Sequence, residues 1–289
     1  MISETWVKTD VGKYRPTNED SVLVDPDHHL VLVLDGMGGH RAGEVASVLA
    51  METIAEFYRG HIGERDPNSD IFENYDPSFT YEANLLRQAV YNANRAVIEK
   101  SVEKEEYVGM GSTLTGMVVN NYTVSMVNVG DSRMYLIRDS TIEQISKDHT
   151  LAEDQVERGI MSREEANESQ LKHILSSVIG VDSRIRVHVD ELSVMPRDLC
   201  LLCTDGLTAV MSDQDILAEI VKQPPGPEVL DHLIELVNER GGPDNTTLAL
   251  TVFHEEPEEK ESRISSLISK SWRGKRKKKK KRLFAVSCG

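Results

Sequence analysis

Two kinds of hydrophobic pattern alternate along the chain. Short apolar runs rich in Val, Leu, Ile and Thr, bounded by polar turns, are typical of β-strands. They predict strands over residues 21–25, 30–34, 112–119, 123–129, 134–138, 185–192, 199–204 and 246–253. Three longer segments repeat apolar residues every three or four positions, which is the helical spacing. They predict α-helices over residues 42–58, 81–99 and 227–239.

Many of the predicted strands are neighbours in sequence, joined by short polar turns such as residues 25–29 and Asn120-Asn121. A short turn can join only antiparallel strands, because a parallel pair needs a long crossover connection. The predicted fold class is therefore α+β, with antiparallel sheets in the middle and helices on the outside.

Composition divides the chain into a main body and a tail. Residues 1–254 are predicted to form one domain. Within it, residues 150–184 are polar and weakly helical, which predicts an inserted flap with a helix beginning at Ser162. Residues 255–289 start with an acidic patch and continue into a basic run, and a change of this kind marks the end of a domain.

The net charge of −15 is unevenly distributed. Residues 272–289 carry nine Lys or Arg and no acid, which leaves −24 on the rest of the chain. Such an acidic body is a poor partner for nucleic acid, whose phosphates need cations, and it suits a protein that collects metal ions. There are three cysteines, and the N-terminus lacks the basic and apolar regions of a signal peptide, so the sequence predicts a cytoplasmic protein.

Apolar residues flank the basic run of residues 273–282, both upstream at helical spacing and downstream over residues 283–286. A polybasic run beside apolar anchors predicts association with an anionic membrane surface through residues 272–289. The alternatives are a solvated tail that folds back onto the acidic body, a nuclear-localisation or nucleic-acid-binding segment, and the start of a membrane helix at Leu283.

Five aspartates stand at the ends of predicted strands. Asp35 and Asp205 each end an apolar run and precede a glycine, Asp131 follows one, and Asp20 and Asp244 precede strands. In a hairpin the start of one strand faces the end of the next, so Asp20 and Asp35 should meet. Asp205 and Asp244 should meet in the same way if their strands are neighbours.

Clustered carboxylates repel one another unless a cation neutralises them. A set of oxygen ligands without a suitable His or Cys pair favours Mg²⁺ or Mn²⁺ over zinc. Any one of these aspartates, taken alone, is more simply a turn or capping residue. All five together predict a metal site.

Seven short motifs carry a resemblance to a known family. They are Arg15-Pro16-Thr17-Asn18-Glu19-Asp20, Asp35-Gly36-Met37-Gly38-Gly39-His40, Gly109-Met110-Gly111-Ser112-Thr113, Gly130-Asp131-Ser132-Arg133, Asp148-His149, Thr204-Asp205-Gly206-Leu207 and Asp244-Asn245. In this order, over about residues 10–253, the sequence resembles the metal-dependent protein phosphatases (PPM, type 2C), especially the bacterial branch. The resemblance implies a central antiparallel β-sandwich flanked by helices in four α-β-β-α layers.

The resemblance also implies a ligand set for two tightly bound Mn²⁺ or Mg²⁺ ions. Asp35 would bridge both ions, and the Gly36 carbonyl would join the second. Asp205 and Asp244 would hold the first ion. Asp20 is the favoured acid for the second ion, with Glu19 as the alternative, and Asp131 with Asp205 would hold a third, weaker ion.

The implied function is hydrolysis of phosphoserine and phosphothreonine on proteins, including a cognate kinase or its substrates, by a water activated between two metals. Arg15 would grip the substrate phosphate. Animal members have a histidine as general acid where this chain has Met37, and His40 is the candidate replacement. A metal-bound water as the acid, or a packing role for His40, is the alternative.

Two other functions remain open, namely a phosphatase for a small phosphoester and an inactive phosphatase-like binding module. The presence of all the principal aspartates speaks against the second. Cys200 and Cys203 lie three positions apart in one predicted strand, so their side chains should point to opposite faces and share no metal. His149 is assigned a structural hydrogen bond.

Overall fold

The computed structural model describes residues 1–38 and 42–255. Residues Met1–His254 form one compact unit. None of the helices in this described part of the chain is long and apolar enough to cross a membrane. The predicted tail lies, apart from Glu255, outside the described residues, and so does His40.

Two antiparallel sheets form the centre of the molecule, which confirms the predicted α+β class. The first sheet has the order β1 (Ile2–Asp10), β11 (Thr246–His254), β10 (Leu199–Cys203), β7 (Arg133–Arg138) and β8 (Thr141–Gln144). The second has the order β2 (Asp20–Asp25), β3 (Leu30–Met37), β5 (Leu114–Asn120), β6 (Thr123–Val129) and β9 (His188–Ser193), and β4 (Gly111–Ser112) pairs with β3.

Helices cover the outer face of each sheet. The helices are α1 (Ala42–His61), α2 (Tyr81–Ser101), α3 (Leu151–Glu157), α4 (Arg163–Glu168), α5 (Asp205–Thr208), α6 (Asp213–Ile220) and α7 (Pro227–Glu239). Helices α1 and α2 pack on the second sheet, and α5 to α7 pack on the first. A third apolar cluster fills the space between the sheets. This is the four-layer sandwich that the resemblance implied.

The alternation of side chains explains why the central strands are apolar throughout. In β3, Leu30, Leu32 and Leu34 face the helices, whereas Val31 and Val33 face the other sheet. Strand β10 behaves in the same way, with Cys203 in the helix-facing core and Cys200 between the sheets. The predicted divergence of the two cysteine side chains is confirmed.

The strand predicted over residues 30–34 extends to Met37, and two other predicted strands are interrupted or begin later than expected. The predicted strand 112–119 is interrupted at Thr113, whose amide donates to the Asp35 carbonyl (2.9 Å) and whose hydroxyl bonds to Ser132 (2.6 Å). The strand predicted from residue 185 begins only at His188. Upstream of it, Arg186 gives its amide to the Ser177 hydroxyl (3.0 Å) instead of to a neighbouring strand.

The flap, residues 150–184, contains α3, α4 and a short 3₁₀ helix, Gln170–His173. The helix start predicted at Ser162 is confirmed, since this residue caps α4 in a reciprocal capping box with Glu165. An isolated β-bridge between Thr150 and Leu175 joins two residues of the flap, and a second between Ser112 and Ile179 fastens the flap to the body.

Candidate metal centre

The sandwich brings the five aspartates to one end of the two sheets. In the β2–β3 hairpin, Asp20 lies directly opposite Asp35 in the pairing register. Asp205 follows β10, and Asp244 precedes the neighbouring antiparallel strand β11. Asp131 lies in the turn between β6 and β7. Both expected encounters between aspartates therefore take place.

A cavity of about 450 Å³ opens onto this cluster. Its lining includes most of the residues singled out from the sequence: Arg15, Glu19, Asp35, Gly36, Met37, Thr113, Asp131, Asp205, Asp244 and Asn245. Asp20 does not belong to that lining, and its Oδ2 accepts a hydrogen bond from the Thr204 hydroxyl (3.0 Å).

Burial and mutual repulsion make these carboxylates reluctant to ionise. Burial, followed by repulsion from Asp20 and Asp205, raises the pKa of Asp35 well above its ordinary value. Burial raises the pKa of Asp20 to about 7, against hydrogen bonds from Thr204 and Thr247 that lower it. An acid cluster of this kind stays ionised at neutral pH only if positive charge is close by.

Two buried oxygens show that the cluster suits a cation. Asp20 Oδ1 and Asp205 Oδ1 are buried and have no hydrogen-bond partner. An orphaned carboxylate oxygen is costly unless a donor or a metal ion faces it. Hard divalent ions take such oxygens as ligands, so the residues fit Mg²⁺ or Mn²⁺.

The side chain of Asp244 is bound by protein groups in this structure. In the described part of the chain, no group of three or more His, Cys, Asp or Glu side chains is already arranged so that it could hold a metal ion. Arg15 Nη2 lies 2.6 Å from Asp244 Oδ2, and the Asn245 amide donates to Asp244 Oδ1 (2.8 Å). The backbone thus assembles the acids, while Arg15 supplies the cation that faces Asp244.

Close contact between two backbones fixes Gly36 at the edge of the cavity. A Cβ on Gly36 would overlap the carbonyl of Gly43 in α1, so only glycine fits there. The Gly36 amide donates to the carbonyl of Glu19 (3.2 Å). Gly36 is therefore held by close backbone packing at the edge of the cavity that the acids line.

Three polar residues that were assigned no role in the sequence analysis hydrogen-bond to the acids of the cluster or to the backbone beside them. Thr113 Oγ1 accepts the Asp35 amide (3.1 Å), and Thr204 donates to Asp20. Asn245 accepts the Glu19 amide and donates to the carbonyls of Val11 and Thr17. All three belong to the quoted motifs, and that membership was the signal available to find them.

The cysteines of β10 are unsuited to act as nucleophiles. Cys200 and Cys203 are buried free thiols. Burial raises the pKa of Cys203 to about 12 and that of Cys200 further, so both stay protonated at neutral pH. The reactive form of cysteine is the thiolate.

Comparison with known proteins places these features in context. Residues 16–246 match the family model described as protein phosphatase 2C. The chain is 32% identical to the serine/threonine phosphatase stp of Listeria welshimeri over 248 residues, which are 84% of this chain and 93% of that protein. It is 35% identical over 252 residues to the serine/threonine protein phosphatase PstP of Mycobacterium tuberculosis, covering 86% of this chain and 45% of that one.

Solved structures agree with the sequence comparisons. The Mycobacterium tuberculosis phosphatase PstP/Ppp superimposes with a TM-score of 0.74 and 31% identity over 88% of this chain and 100% of that one. The catalytic domain of PstP in complex with two manganese ions superimposes with a TM-score of 0.71 and 31% identity, over 88% and 99% of the two chains.

Proposed function

The chain belongs to the protein phosphatase 2C family and is a metal-dependent serine/threonine protein phosphatase, and we propose that four of its aspartates hold two divalent ions. The ligands are Asp20, Asp35, Asp205, Asp244 and the carbonyl of Gly36. The observation that carries this proposal is the pair of orphaned buried oxygens, Asp20 Oδ1 and Asp205 Oδ1, in the acid cluster.

The ions would be Mn²⁺ or Mg²⁺, and Asp131 and Asp205 would hold a third, weaker ion. When bound, the two tight ions would supply Lewis acidity, which lowers the pKa of a water molecule so that hydroxide is available near neutral pH to attack phosphorus. Asp35 would hold both tight ions, and its backbone amide donates a hydrogen bond to the Thr113 hydroxyl. Glu19, which also lines the cavity, is the alternative to Asp20.

Arg15 binds the phosphate of the substrate. Its side chain is 54% exposed at the mouth of the cavity and already contacts a carboxylate, which, like a phosphoryl group, offers neighbouring anionic acceptor oxygens. A guanidinium binds such oxygens in a fixed fork. Arg15 can therefore orient the phosphorus towards the acid cluster.

The substrates are proteins phosphorylated on serine or threonine, among them a cognate kinase or the targets of that kinase. An open cavity with acids on its floor and Arg15 at its mouth supports a phosphate presented on a polypeptide. Hydrolysis of phosphothreonine peptides, measured against small phosphoesters, tests this substrate class directly.

The ligand assignment is tested by Asp35→Asn. Hydrolysis of p-nitrophenyl phosphate and of a phosphothreonine peptide with excess Mn²⁺ should fall by on the order of 100-fold or more, because one carboxylate serves both ions. The control is Asp231→Asn, which removes an exposed carboxylate that pairs with Lys8. Near-normal turnover in folded Asp35→Asn would reject the bridging role.

A further inference from the structure

His149 lies between the turn that carries Asp131 and the base of the flap. It precedes the cap of α3, and the residue is 3% exposed. A buried polar ring needs hydrogen-bond partners. The hydrogen-bond partners of His149 lie on the Asp131 turn and on the flap.

Gly130, the residue before Asp131, is held by His149 on both of its backbone polar groups. The His149 amide donates to the Gly130 carbonyl (2.8 Å), and the Gly130 amide donates to His149 Nδ1 (3.3 Å). Asn128 Nδ2 adds a second donor to the same carbonyl (3.1 Å). Gly130 has a φ of +96°, and a Cβ there would lie 2.7 Å from Thr113 Cγ2. The conformation that presents Asp131 therefore depends on this glycine and on its partners.

The same residue anchors the flap. The His149 carbonyl accepts the amide of Ser176 (2.8 Å), on the segment that returns from the flap to the body. Next along the chain, Thr150 forms an isolated bridge with Leu175, whose side chain lines the acid cavity. His149 thus joins the Asp131 turn to the flap base through consecutive hydrogen bonds.

We propose that His149 is a positioning residue, which fixes Asp131 by holding the Gly130 peptide and ties the position of Asp131 to that of the flap. This inference rests on the proposed function in one respect, the third ion at Asp131. Accepting the Gly130 amide requires an Nδ1 without a proton, so the proton lies on Nε2. Burial, reinforced by the charges of Arg186 and His188, lowers the pKa of His149 to about 4, which agrees with a neutral ring.

The test compares Mn²⁺ binding by calorimetry in four full-length proteins: wild type, His149→Phe, His149→Asn and His188→Phe. Phenylalanine keeps a ring without an acceptor, whereas asparagine offers an oxygen near the position of Nδ1. His188 is the matched control, because its Nδ1 also accepts a backbone amide, that of Lys147 (3.2 Å), but not on the Asp131 turn.

The weakest Mn²⁺ binding step should become about 10- to 100-fold weaker in His149→Phe, as is typical when a partner behind a ligand is lost. The two tight steps should not change, and His149→Asn should recover most of the weak step. His188→Phe should bind as wild type does. Equal weakening in His149→Phe and His188→Phe would mean a general loss of stability and would overturn the proposal.

An Asp131→Asn comparison separates this inference from the proposed function. If Asp131→Asn loses the weak step while folded His149→Phe keeps it, only the role of His149 is rejected. If Asp131→Asn keeps the weak step, the third-ion site is rejected and the role of His149 falls with it. Should His149→Phe not fold, imidazole ¹⁵N chemical shifts of the wild type decide, since a protonated Nδ1 would overturn the proposal.

Discussion

Arg15 and Asp244 meet at the mouth of the cavity although 229 positions separate them. Their side chains are 54% and 29% exposed, so the pair contributes little to the stability of the fold. Neighbouring acids also act on the arginine: hydrogen bonding and attraction from Asp244, and then attraction from Asp35 and Glu19, raise the pKa of Arg15. The guanidinium is thus a fixed positive charge at the edge of an acid cluster.

Arg15→Ala should raise KM for a phosphothreonine peptide by about 10- to 100-fold, since hydrogen bonds to a charged group are worth about 1.5–3 kcal/mol. Steady-state kinetics with saturating Mn²⁺ measure the change. Arg15→Lys should restore only part of it, because an ammonium group cannot bind two oxygens in a fork. The control Arg186→Ala breaks a comparable ion pair with Asp154 and should leave KM unaltered. An unchanged KM in Arg15→Ala would contradict the phosphate-binding role.

Asp20 and Glu19 are neighbours that face different surroundings. Asp20 has an orphaned buried oxygen, whereas Glu19 lines the open cavity, and burial raises the pKa of both. Asp20→Asn should weaken one tight Mn²⁺ step by about 10- to 100-fold, and Glu19→Gln should weaken it less. Calorimetric titration of both variants ranks them. The reverse order would assign the ligand to Glu19.

Much of the acid cluster could be predicted from the positions of the aspartates at strand ends, because antiparallel pairing is regular. The hairpin rule alone placed Asp20 opposite Asp35. The side-chain partners could not be predicted in this way. The hydrogen bonds from Arg15 to Asp244 and from Thr204 to Asp20 join residues that are distant in sequence. Which distant residues come into contact is decided only by the folded structure.

At the scale of elements, the two ends of the β2–β3 hairpin carry aspartates with different surroundings. One end carries Asp20 and Asp35. At the other, Asp25 accepts hydrogen bonds from Arg59 Nε of α1 (2.5 Å) and from the His28 ring (3.0 Å). The hairpin is therefore fastened to α1 at the end away from the acid cluster.

This anchor should give a pH-dependent stability. Burial alone would raise the pKa of Asp25, but the hydrogen bonds from Arg59 and His28 outweigh it and lower the pKa from 3.8 to about 2. A carboxyl whose pKa is lower in the folded than in the unfolded chain stabilises the fold at pH values above its unfolded pKa. This contribution is lost as the pH falls from about 4 towards 2. Asp25→Asn should therefore reduce the free energy of unfolding by roughly 1–3 kcal/mol at pH 7 and by less at pH 3.

Urea unfolding of wild type and Asp25→Asn at pH 7, 4 and 3 measures the difference. Asp231→Asn is the control, because its partner Lys8 is on the surface and such pairs contribute little. A deficit in Asp25→Asn that is the same at every pH would rule out the ionised carboxylate as the source of the effect.

Elements with strong periodicity were predictable, and weakly patterned ones were not. Helix α7 has its predicted bounds, Pro227–Glu239, because apolar residues recur on one face and Pro227 stands at its first turn. Strand β1 was missed because it is an edge strand of mostly exposed and half-buried residues. Strand β8 has only four residues, which is too short for a period to show.

At the scale of the whole molecule, the two sheets bring aspartates from distant parts of the sequence to the same end of the sandwich. The second sheet contributes Asp20 and Asp35, and the first contributes Asp205 and Asp244. The proposed metal centre therefore needs both sheets and the apolar cluster between them. Substitutions that disrupt this shared core should therefore disturb the acid cluster as well.

The tail beyond the described residues carries the remaining prediction of membrane association. The full chain should co-sediment with phosphatidylglycerol or phosphatidylserine vesicles at low salt, because each Lys or Arg near an anionic surface contributes about 1 kcal/mol before screening. A chain ending at Ser271 should remain in the supernatant. Phosphatase activity on a soluble peptide should be equal in the two proteins.

Added salt should release the full chain from the vesicles, and vesicles of phosphatidylcholine alone should not bind it. Equal sedimentation of the full and shortened chains, or none of either at low salt, would exclude the tail as a membrane-binding segment.

Strand β10 places one thiol in each of two separate cores, Cys203 beneath the helices and Cys200 between the sheets. The protein thereby contains its own pair of unfolding reporters. A buried thiol reacts with a disulfide reagent only when its surroundings open, so each reaction rate reports a local opening free energy. Equal rates for Cys200 and Cys203 would mean that both layers open as one cooperative unit. A faster Cys203 would mean that the outer helices detach while the paired sheets stay together.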